Sequence, residues 1–396
     1  MTIQNIKDIL NRKFKGSTID DVQGISDFTV FEEAASSLLS LIDPYETIRH
    51  GELNLYNSIY DYSLSSTAPD LKEKKVIDLR PQANRSSSED FRQTFIEDFD
   101  RDKEFENDWF SVEFDEATKF LRVNKEVSNS ITITDLEDDN YTAGTGVSNI
   151  AEDTILHYGD GKSIRFDISL GSNLLAWSGD AVVDLSDHEL KSSLFLPVYW
   201  PDSSLITSIT LRIGTDASNY FEITGSIHFG SVRNGWNLYT FDWNGATETG
   251  SVDTNLMDYA RFAIVATSAD TDIRIGKLSS KLLSPHELVY YSNCIFRPSS
   301  GTTWLTKPTA VTDIVNLEHV AQNIFLYECC VIVAEDLQFD EEAQKYRNHL
   351  GKRVDGTLTG EGLYGDYRKN KPSEAIRPTS RYYSTPQVSR RQIWRR

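Results

Sequence analysis

The sequence predicts an α+β multidomain protein in which terminal helices form a helical bundle, a large antiparallel β-sandwich is inserted between them, and an extended arm follows. Three observations lead to this fold class. Apolar residues recur at helical spacing near both ends of the 396-residue chain, and short alternating strands fill its middle. Residues 367–396 carry nine Lys/Arg and one acidic residue, although the whole chain has a formal net charge of −20.

The N-terminal segment has two stripes of apolar residues at helical spacing. The first stripe consists of Ile3, Ile6, Leu10 and Phe14. The second lies within residues 31–42. Residues 43–46 (Asp-Pro-Tyr-Glu) have the form of a further helix start, with Asp as the N-cap, Pro at the first helical position and Glu closing a capping box. Residues 1–58 are therefore predicted to form the N-terminal helical part.

Residues 59–126 are predicted to link this helical part to a β domain. Residues 60–64 and 76–80 have strand-like alternation. Residues 88–116 contain twelve Asp/Glu and three Arg/Lys, and phenylalanines interrupt them. Charge alone favours disorder, but the repeated aromatic residues predict a segment held against a surface.

Residues 127–283 are predicted to form an antiparallel β-sandwich or jelly roll. Apolar and polar residues alternate in several short segments, and clusters of Gly, Asp, Asn and Ser separate these segments. The alternating apolar positions include Ile164, Phe166, Ile168, Ile209, Leu211, Ile213, Ile273 and Ile275.

Residues 284–350 are predicted to form the C-terminal helical part. A wide apolar face over residues 317–350 favours one long buried helix, and Gly351 marks its end. Residues 351–396 then form the predicted basic arm. Its mixture of Tyr, Pro, Ser and Arg has no regular periodicity, so we expect it to become ordered on a partner.

The sequence carries no enzyme or metal signature, so the protein is predicted to be no enzyme and to need no cofactor. Residues 159–163 (Gly-Asp-Gly-Lys-Ser) lack the upstream glycine of a phosphate loop and predict a hairpin turn. Asp135 and the acidic residues 137–139 lack EF-hand spacing, which favours a solvated turn over a calcium site. The seven His show no metal-ligand spacing, and the three Cys are expected to be buried thiols.

Composition also argues against a membrane or nucleic-acid role. No stretch approaches the length of about 18 apolar residues that a membrane span needs. The first fourteen residues lack the apolar run of a signal peptide. Without the last thirty residues the chain is still more acidic, which disfavours general affinity for nucleic acid.

The middle domain carries a more specific signal in residues 205–243. An alternating strand, a turn, and a strand that begins Gly-Trp-Asn at residue 235 follow one another. This order resembles the jelly rolls of carbohydrate-binding modules. Sugar binding needs exposed aromatic faces and a few polar groups, and the candidate residues are Asp216, Tyr220, Trp236 and Trp243. The same aromatic residues are also candidates for the sandwich core, and alternation places Trp236 and Trp243 on opposite faces.

Several short features of the two ends occur together. They are the N-terminal helices, the Asp-Pro helix start, the segment 60–64 that leads through Asp70 and Leu71 to the strand at 76–80, and the long closing helix with its arm. Together they resemble head-to-tail connector (adaptor or neck) proteins of tailed bacteriophages, over roughly residues 1–81 and 317–396. The loop at 65–69 is longer than that pattern requires, and the inserted β domain is larger than a minimal adaptor needs.

The resemblance implies a structural protein of a tailed-phage virion that forms a homo-oligomeric ring, expected to be a dodecamer. Portal, tail and neck proteins would be its partners, DNA would pass through the ring without specific recognition, and assembly would take place in the host cytoplasm. The arm would dock through Arg–carboxylate contacts and aromatic anchors. Its candidate contact residues are Arg368, Lys369, Lys371, Arg377, Arg381, Tyr382, Tyr383, Arg390, Arg391, Trp394, Arg395 and Arg396.

A second hypothesis makes the chain a glycan-binding tail, baseplate or capsid decoration protein. The Gly-Trp-Asn strand motivates it. The two hypotheses are compatible, because a sandwich exposed on a virion neck can contact a glycan of the host surface.

Overall fold

The computed structural model describes residues 1–15, 22–81, 94–95, 109–115, 118–124 and 130–370. These residues form two compact units, each assembled from segments that are distant in sequence. The terminal unit comprises the described residues of Met1–Gly51, Thr67–Arg80 and Glu287–Arg396, and the sandwich unit those of Glu52–Ser66 and Pro81–His286. The protein is therefore a β-rich multidomain protein.

All the α-helices of the described ranges belong to the terminal unit. They are α1 (Ile3–Lys13), α2 (Gln23–Ser26), α3 (Thr29–Leu41), α4 (His319–Asp336), α5 (Asp340–Leu350) and α6 (Gly362–Asn370). The two predicted N-terminal helices are confirmed as α1 and α3. The Thr2 hydroxyl caps α1 by accepting a hydrogen bond from the Asn5 amide at 3.2 Å, and α1 buries Ile3, Ile6 and Leu10. None of the helices in these ranges is both long and apolar enough to cross a membrane.

The predicted helix start at residues 43–46 is wrong. Pro44 is extended, and only a short 3-10 turn, Tyr45–Thr47, precedes a strand. A capping Asp must accept a hydrogen bond from the backbone of its own helix. The carboxylate of Asp43 is instead engaged by the Lys72 ammonium at 2.6 Å, so the side chain joins two distant segments.

The single helix predicted over residues 317–350 is two helices. Gln338, between α4 and α5, has φ +59°, a left-handed conformation that a continuous α-helix cannot contain. The first turn of α5 is acidic, which suits the positive end of a helix dipole. The predicted stop is confirmed, since Gly351 ends α5 with φ +77°.

A buried ion pair joins the helices of the terminal unit. The Glu328 carboxylate on α4, 2% exposed, lies 3.1 Å from the Lys352 ammonium. It also accepts hydrogen bonds from the Ser37 hydroxyl of α3 at 3.0 Å and the Tyr364 hydroxyl of α6 at 2.8 Å. Glu328 thus has a partner from three separate segments, as a buried charge requires.

The arm predicted from residue 351 is not extended in its first part. Residues 362–370 form α6, in which Tyr364 is fully buried. The Tyr367 hydroxyl and the Arg368 guanidinium donate to backbone carbonyls of residues 43 and 41, each at 3.3 Å. The arm prediction is therefore wrong for residues 362–370. The other predicted arm contacts, from Lys371 onward, lie outside the described residues.

Two small sheets accompany these helices. One has the order β1–β21–β3, formed by β1 (Ile48–Leu55), β3 (Leu71–Pro81) and β21 (Ser284–Ser292); the other pairs β22 (Phe296–Arg297) with β23 (Ile314–Val315). The strand predicted at residues 76–80 is confirmed as part of β3. The chain passes from the terminal unit to the sandwich unit within β1 and returns within β21.

The predicted antiparallel β-sandwich is confirmed and consists of two sheets. The eight-stranded sheet has the order β15 (Ser226–Ile227), β16 (Gly235–Asp242), β12 (Ser192–Trp200), β19 (Asp270–Ile275), β10 (Ser163–Ile168) and β9 (Val147–Asp153), with β20 (Ser279–Leu282) between β12 and β7 (Ser130–Thr132). The six-stranded sheet has the order β17 (Thr247–Thr249), β14 (Asn219–Thr224), β13 (Ile206–Asp216), β18 (Met257–Ala266), β11 (Gly171–Val183) and β8 (Tyr141–Ala143). Alternate residues of both sheets meet in one apolar core, as the period of two predicts.

A further sheet of the sandwich unit has the order β2–β6–β5–β4. Its strands are β2 (Asp61–Ser63), β6 (Thr118–Asn124), β5 (Trp109–Asp115) and β4 (Thr94–Phe95). β2 pairs with β6, so that Asp61 lies opposite Arg122. Most of the acidic stretch predicted to lie on a surface is outside the described residues.

Replacing Glu328 by Ala is expected to destabilise the terminal unit by about 3–5 kcal/mol, because Lys352 would be left buried without its counter-charge. Urea-dependent hydrogen exchange of the α3 and α4 amides measures the change. Glu342→Ala is the matched control, since Glu342 forms an exposed i,i+3 pair with Lys345 on α5 and should change stability little. Equal effects of the two substitutions would contradict a supporting role of the Glu328 network.

Candidate functional site

The strand β16 presents Trp236 on the outer face of the eight-stranded sheet. Tyr239 and Phe241 of this strand are buried in the sandwich core. Because side chains alternate along a strand, Trp236 and Leu238 lie on the opposite face. In the pairing of β12 with β16, Tyr199 lies directly across from Trp236. The predicted separation of the two aromatic sets of this strand is confirmed.

Beside Trp236 lies a cavity of about 490 Å³, here called the Trp236 cleft. Three segments of the sandwich unit line it. They are residues 58–61, residues 158–159, and, from the third segment, residues 228, 229, 231, 233 and 236–238. The cleft therefore has a wall before β2, a wall at the turn between β9 and β10, and a wall at the hairpin of β15 and β16.

Aromatic residues contribute much of the apolar surface of the Trp236 cleft, whose lining includes Tyr60, Tyr158, Phe229 and Trp236. The rings of Trp236 and Tyr158 have centroids 5.5 Å apart and are inclined by 55°. The Tyr199 ring supports Trp236 from the neighbouring strand at 5.6 Å. Tyr158 is 44% exposed and Tyr60 is 52% exposed, which is unusual for large aromatic residues of a folded domain. Such partly exposed rings are suited to contacts with an amphipathic ligand.

The wall formed by residues 58–61 is held by a buried tyrosine. The Tyr62 hydroxyl accepts a hydrogen bond from the Tyr56 amide at 2.8 Å and donates to the Ile59 carbonyl at 3.0 Å. Burial raises the pKa of Tyr62, so this hydroxyl keeps its proton. These hydrogen bonds stabilise the turn that carries Tyr60 and Asp61.

The wall formed by the β15–β16 hairpin is held by Asn237, which is 6% exposed. Its side-chain oxygen accepts from the Arg233 amide at 2.9 Å, and its side-chain nitrogen donates to the carbonyls of Arg233 at 2.7 Å and Gly235 at 2.8 Å. Gly235 has φ +102°, a conformation that favours glycine. In the Gly-Trp-Asn sequence, Gly235 and Asn237 thus stabilise the loop, and Trp236 lies between them.

The turn that carries Tyr158 connects β9 to β10. Asp153 accepts hydrogen bonds from the amides of Ile155 and Leu156 at 2.8 and 3.3 Å, and the Ser163 hydroxyl donates to the Leu156 carbonyl at 2.7 Å. The antiparallel pairing of β9 with β10 confirms the predicted hairpin at residues 159–163. These bonds fix both ends of the turn.

His228 anchors the floor of the cleft and is neutral at pH 7. Its ring packs edge-on against Tyr62 and Phe195, with centroids 5.3 and 5.4 Å away. Burial lowers the pKa of His228 to about 4. Its Nε2 lies 3.0 Å from the Asp61 carbonyl oxygen. Because a carbonyl only accepts, Nε2 carries the proton of the neutral ring and donates this hydrogen bond.

The structure does not bring the four predicted glycan-binding residues together. Trp236 lines the cleft, but Trp243 is 4% exposed and donates from Nε1 to the Ser192 hydroxyl at 3.1 Å inside the core. Asp216 caps the β13–β14 turn, and Tyr220 lies on β14 under the Arg212 guanidinium, 4.5 Å from its ring centroid. Both belong to the six-stranded sheet.

Sequence reasoning missed Tyr60, Tyr158, His228 and Arg233. Tyr60 and Tyr158 come from segments whose proximity to β16 depends on the tertiary fold. Tyr158 directly precedes the Gly-Asp-Gly turn, and an aromatic residue at a loop tip was the signal available for it.

The acidic turn before β8 uses its carboxylates internally. Asp135 accepts from the Trp177 Nε1 at 3.2 Å and from the Asn140 side chain at 2.7 Å, and Glu137 pairs with Lys162 at 2.5 Å. In the described ranges no group of three or more His, Cys, Asp or Glu is placed to hold a metal ion.

No protein-family model and no curated protein matches the chain. Among solved structures it is similar to a family 30 carbohydrate-binding module of a Clostridium thermocellum cellulosomal cellulase, with 12% identity and a TM-score of 0.31 over 38% of this chain and 96% of that one. The xylan-binding domain CBM22-1 of Paenibacillus barcinonensis Xyn10C has 12% identity and a TM-score of 0.26 over 40% and 94%. The enzymatically active domain of Bacteriophage CBA120 tailspike protein 4 has 12% identity and a TM-score of 0.23 over 37% and 20%. At this identity and these TM-scores the comparisons assign no ligand to this chain.

The stability of the sandwich unit is expected to fall as the pH drops from about 6.5 to about 4, because the unfolded His228 binds a proton more readily than the folded one. His228→Phe keeps an aromatic ring in place and removes this titration. Between pH 7 and 4.5 the variant should lose about 2–3 kcal/mol less stability than the parent. Urea unfolding at the two pH values measures the difference, and an unchanged pH dependence would contradict the burial of a neutral His228.

Proposed function

We propose that the sandwich unit binds a glycan in the Trp236 cleft. The observation that carries this proposal is the cluster of Trp236, Tyr158 and Tyr60 around a cavity of about 490 Å³, with two of these rings about half exposed. Sugars present apolar C–H faces and polar hydroxyl edges. A cavity with aromatic walls and a few fixed polar groups matches both.

Polar groups at the rim of the cleft complement the aromatic surface. The polar residues of the lining include Ser58, Asp61, Ser231 and Arg233. The three walls are closed by internal hydrogen bonds, so little ordering is needed when a ligand binds, which favours affinity. The proposed role of the cleft is therefore to bind a glycan through its aromatic surface and its polar groups.

We also propose that this glycan-binding unit belongs to a tailed-phage virion, as a tail, baseplate or capsid decoration protein. What supports it is the resemblance of the chain ends to head–tail connectors together with the glycan-binding proposal. The connector role itself, with a dodecameric ring and portal and neck partners, is the narrower form of this proposal. It is supported by the basic residues 371–396, seven Lys/Arg against one Glu, which suit an acidic protein partner.

Trp236→Ala is expected to weaken glycan binding by roughly thirtyfold or more, because it removes the central ring of the cleft. A bacterial glycan array followed by calorimetry of the intact chain measures this loss. Tyr220→Ala is the matched control, because it removes an aromatic ring of the opposite sheet and should leave the affinity unchanged. Binding that survives Trp236→Ala, or no glycan bound by the intact chain, would contradict the proposal.

Deleting residues 371–396 is expected to leave a folded protein that no longer joins portal-containing particles. The deletion spares α6, whose Tyr364 belongs to the core of the terminal unit. Circular dichroism checks the fold, and co-sedimentation with particles checks assembly. A folded deletion variant that is incorporated normally would refute a docking role for these residues.

A further inference from the structure

The charge of the Trp236 cleft depends on three side chains, those of Asp61, His228 and Arg233. They are the lining residues with an acidic or basic side chain. Burial raises the pKa of Tyr158, another lining residue, so its hydroxyl keeps its proton at pH 7. The net charge of the lining residues therefore depends on whether each of these three groups is charged and whether an ion pair neutralises it.

Asp61 is neutralised by a neighbour on the adjacent strand. The Arg122 guanidinium of β6 binds its carboxylate at two points, with Nε to Oδ1 at 2.7 Å and Nη2 to Oδ2 at 3.1 Å. Such a two-point pair satisfies both carboxylate oxygens and is geometrically specific. Asp61 therefore adds little net negative charge to the cleft.

His228 adds no charge at neutral pH. Its pKa of about 4 keeps the ring neutral, and its Nε2–H is occupied by the Asp61 carbonyl. The floor of the cleft is thus uncharged under physiological conditions.

Among the described residues, Arg233 is a positive charge without a counter-ion. In the part of the chain that the structure describes, no carboxylate lies within ion-pair distance of its guanidinium. Two arginines on the outer face of the eight-stranded sheet, by contrast, are paired: Arg165 with Asp272 at 3.5 Å, and Arg274 with Asp153 at 2.7 Å.

The backbone that carries Arg233 is fixed on both sides. Asn237 bonds the amide and the carbonyl of Arg233 itself. The next residue, Asn234, accepts hydrogen bonds from the amide and hydroxyl of Ser203 at 2.8 and 2.9 Å. Arg233, a lining residue of the cleft, therefore extends from a loop whose backbone is held by hydrogen bonds.

We propose that the Trp236 cleft selects glycans that carry a carboxylate, such as uronic acids, and that Arg233 is the residue that recognises the carboxylate. The inference rests on the proposed glycan binding and adds the chemical class of the ligand. A guanidinium donates two parallel N–H bonds that match the planar carboxylate. The aromatic rings would pack against the apolar face of the sugar, and the Arg233 guanidinium would donate hydrogen bonds to its carboxylate.

The experiment uses the intact chain and matched pairs of oligosaccharides. Oligogalacturonate, oligomannuronate and hyaluronan fragments are each compared with their carboxyl-reduced counterparts, which keep the linkages and lose the charge. Calorimetry at low and high salt measures each affinity. Arg233→Gln is the test variant. Arg165→Gln is the control, because Arg165 lies on the outer face of the eight-stranded sheet in an ion pair with Asp272.

The expected result is that at least one acidic oligosaccharide binds roughly tenfold or more tightly than its reduced counterpart, since hydrogen bonds to a charged group are stronger than neutral ones. Arg233→Gln should remove this preference and keep the affinity for the reduced sugar, whereas Arg165→Gln should keep the preference. Equal binding of both members of every pair, or a preference that survives Arg233→Gln, would overturn this inference and leave glycan binding intact. No binding of either member of any pair would also overturn this inference, while glycan binding itself is decided by the array.

Discussion

The pairing of β12 with β16 is the constraint on which both the sandwich core and the Trp236 cleft depend. In this register Tyr199 lies across from Trp236, and Leu196 lies across from Tyr239. On the core side of these two strands, a hydrogen bond from Trp200 Nε1 to the Tyr239 hydroxyl at 3.1 Å stabilises the register. A slip of one residue would exchange the two faces of the strand, burying Trp236 and exposing Tyr239. Core packing thus determines where the cleft aromatic residues lie.

Buried polar side chains hold the neighbouring loops in place through hydrogen bonds. Asn237 and Tyr62 each satisfy several backbone groups of a loop that lines the cleft. Glu328 has the same role in the terminal unit, where one carboxylate is shared by side chains from three segments. Because an unsatisfied buried polar group is costly, each of these residues specifies one arrangement of its neighbours. The walls of the cleft are therefore preorganised by their own hydrogen bonds.

The sequence was sufficient where a single local pattern decides the structure. The stripes of α1 and α3, the strands of the sandwich, the hairpin at residues 159–163 and the stop at Gly351 follow from periodicity and turn chemistry. It failed where tertiary contacts override a local signal, as when Asp43 pairs with Lys72 instead of capping a helix. For the proposed binding site it named Trp236 as a candidate and placed it on the strand face opposite Trp243, but it did not decide which face is outward. It could not find Tyr60, Tyr158 and Arg233, because no sequence spacing shows that these residues share one cleft.

A crystal structure of the intact chain with a bound oligosaccharide is the most direct test of the central claim, that the Trp236 cleft is a glycan-binding site. The account predicts a sugar ring in van der Waals contact, about 4 Å, with Trp236 or Tyr158, and polar contacts from the loop of Arg233. A sugar bound at the β13–β14 turn near Tyr220, with the Trp236 cleft unchanged and unoccupied in the same crystal, would contradict it.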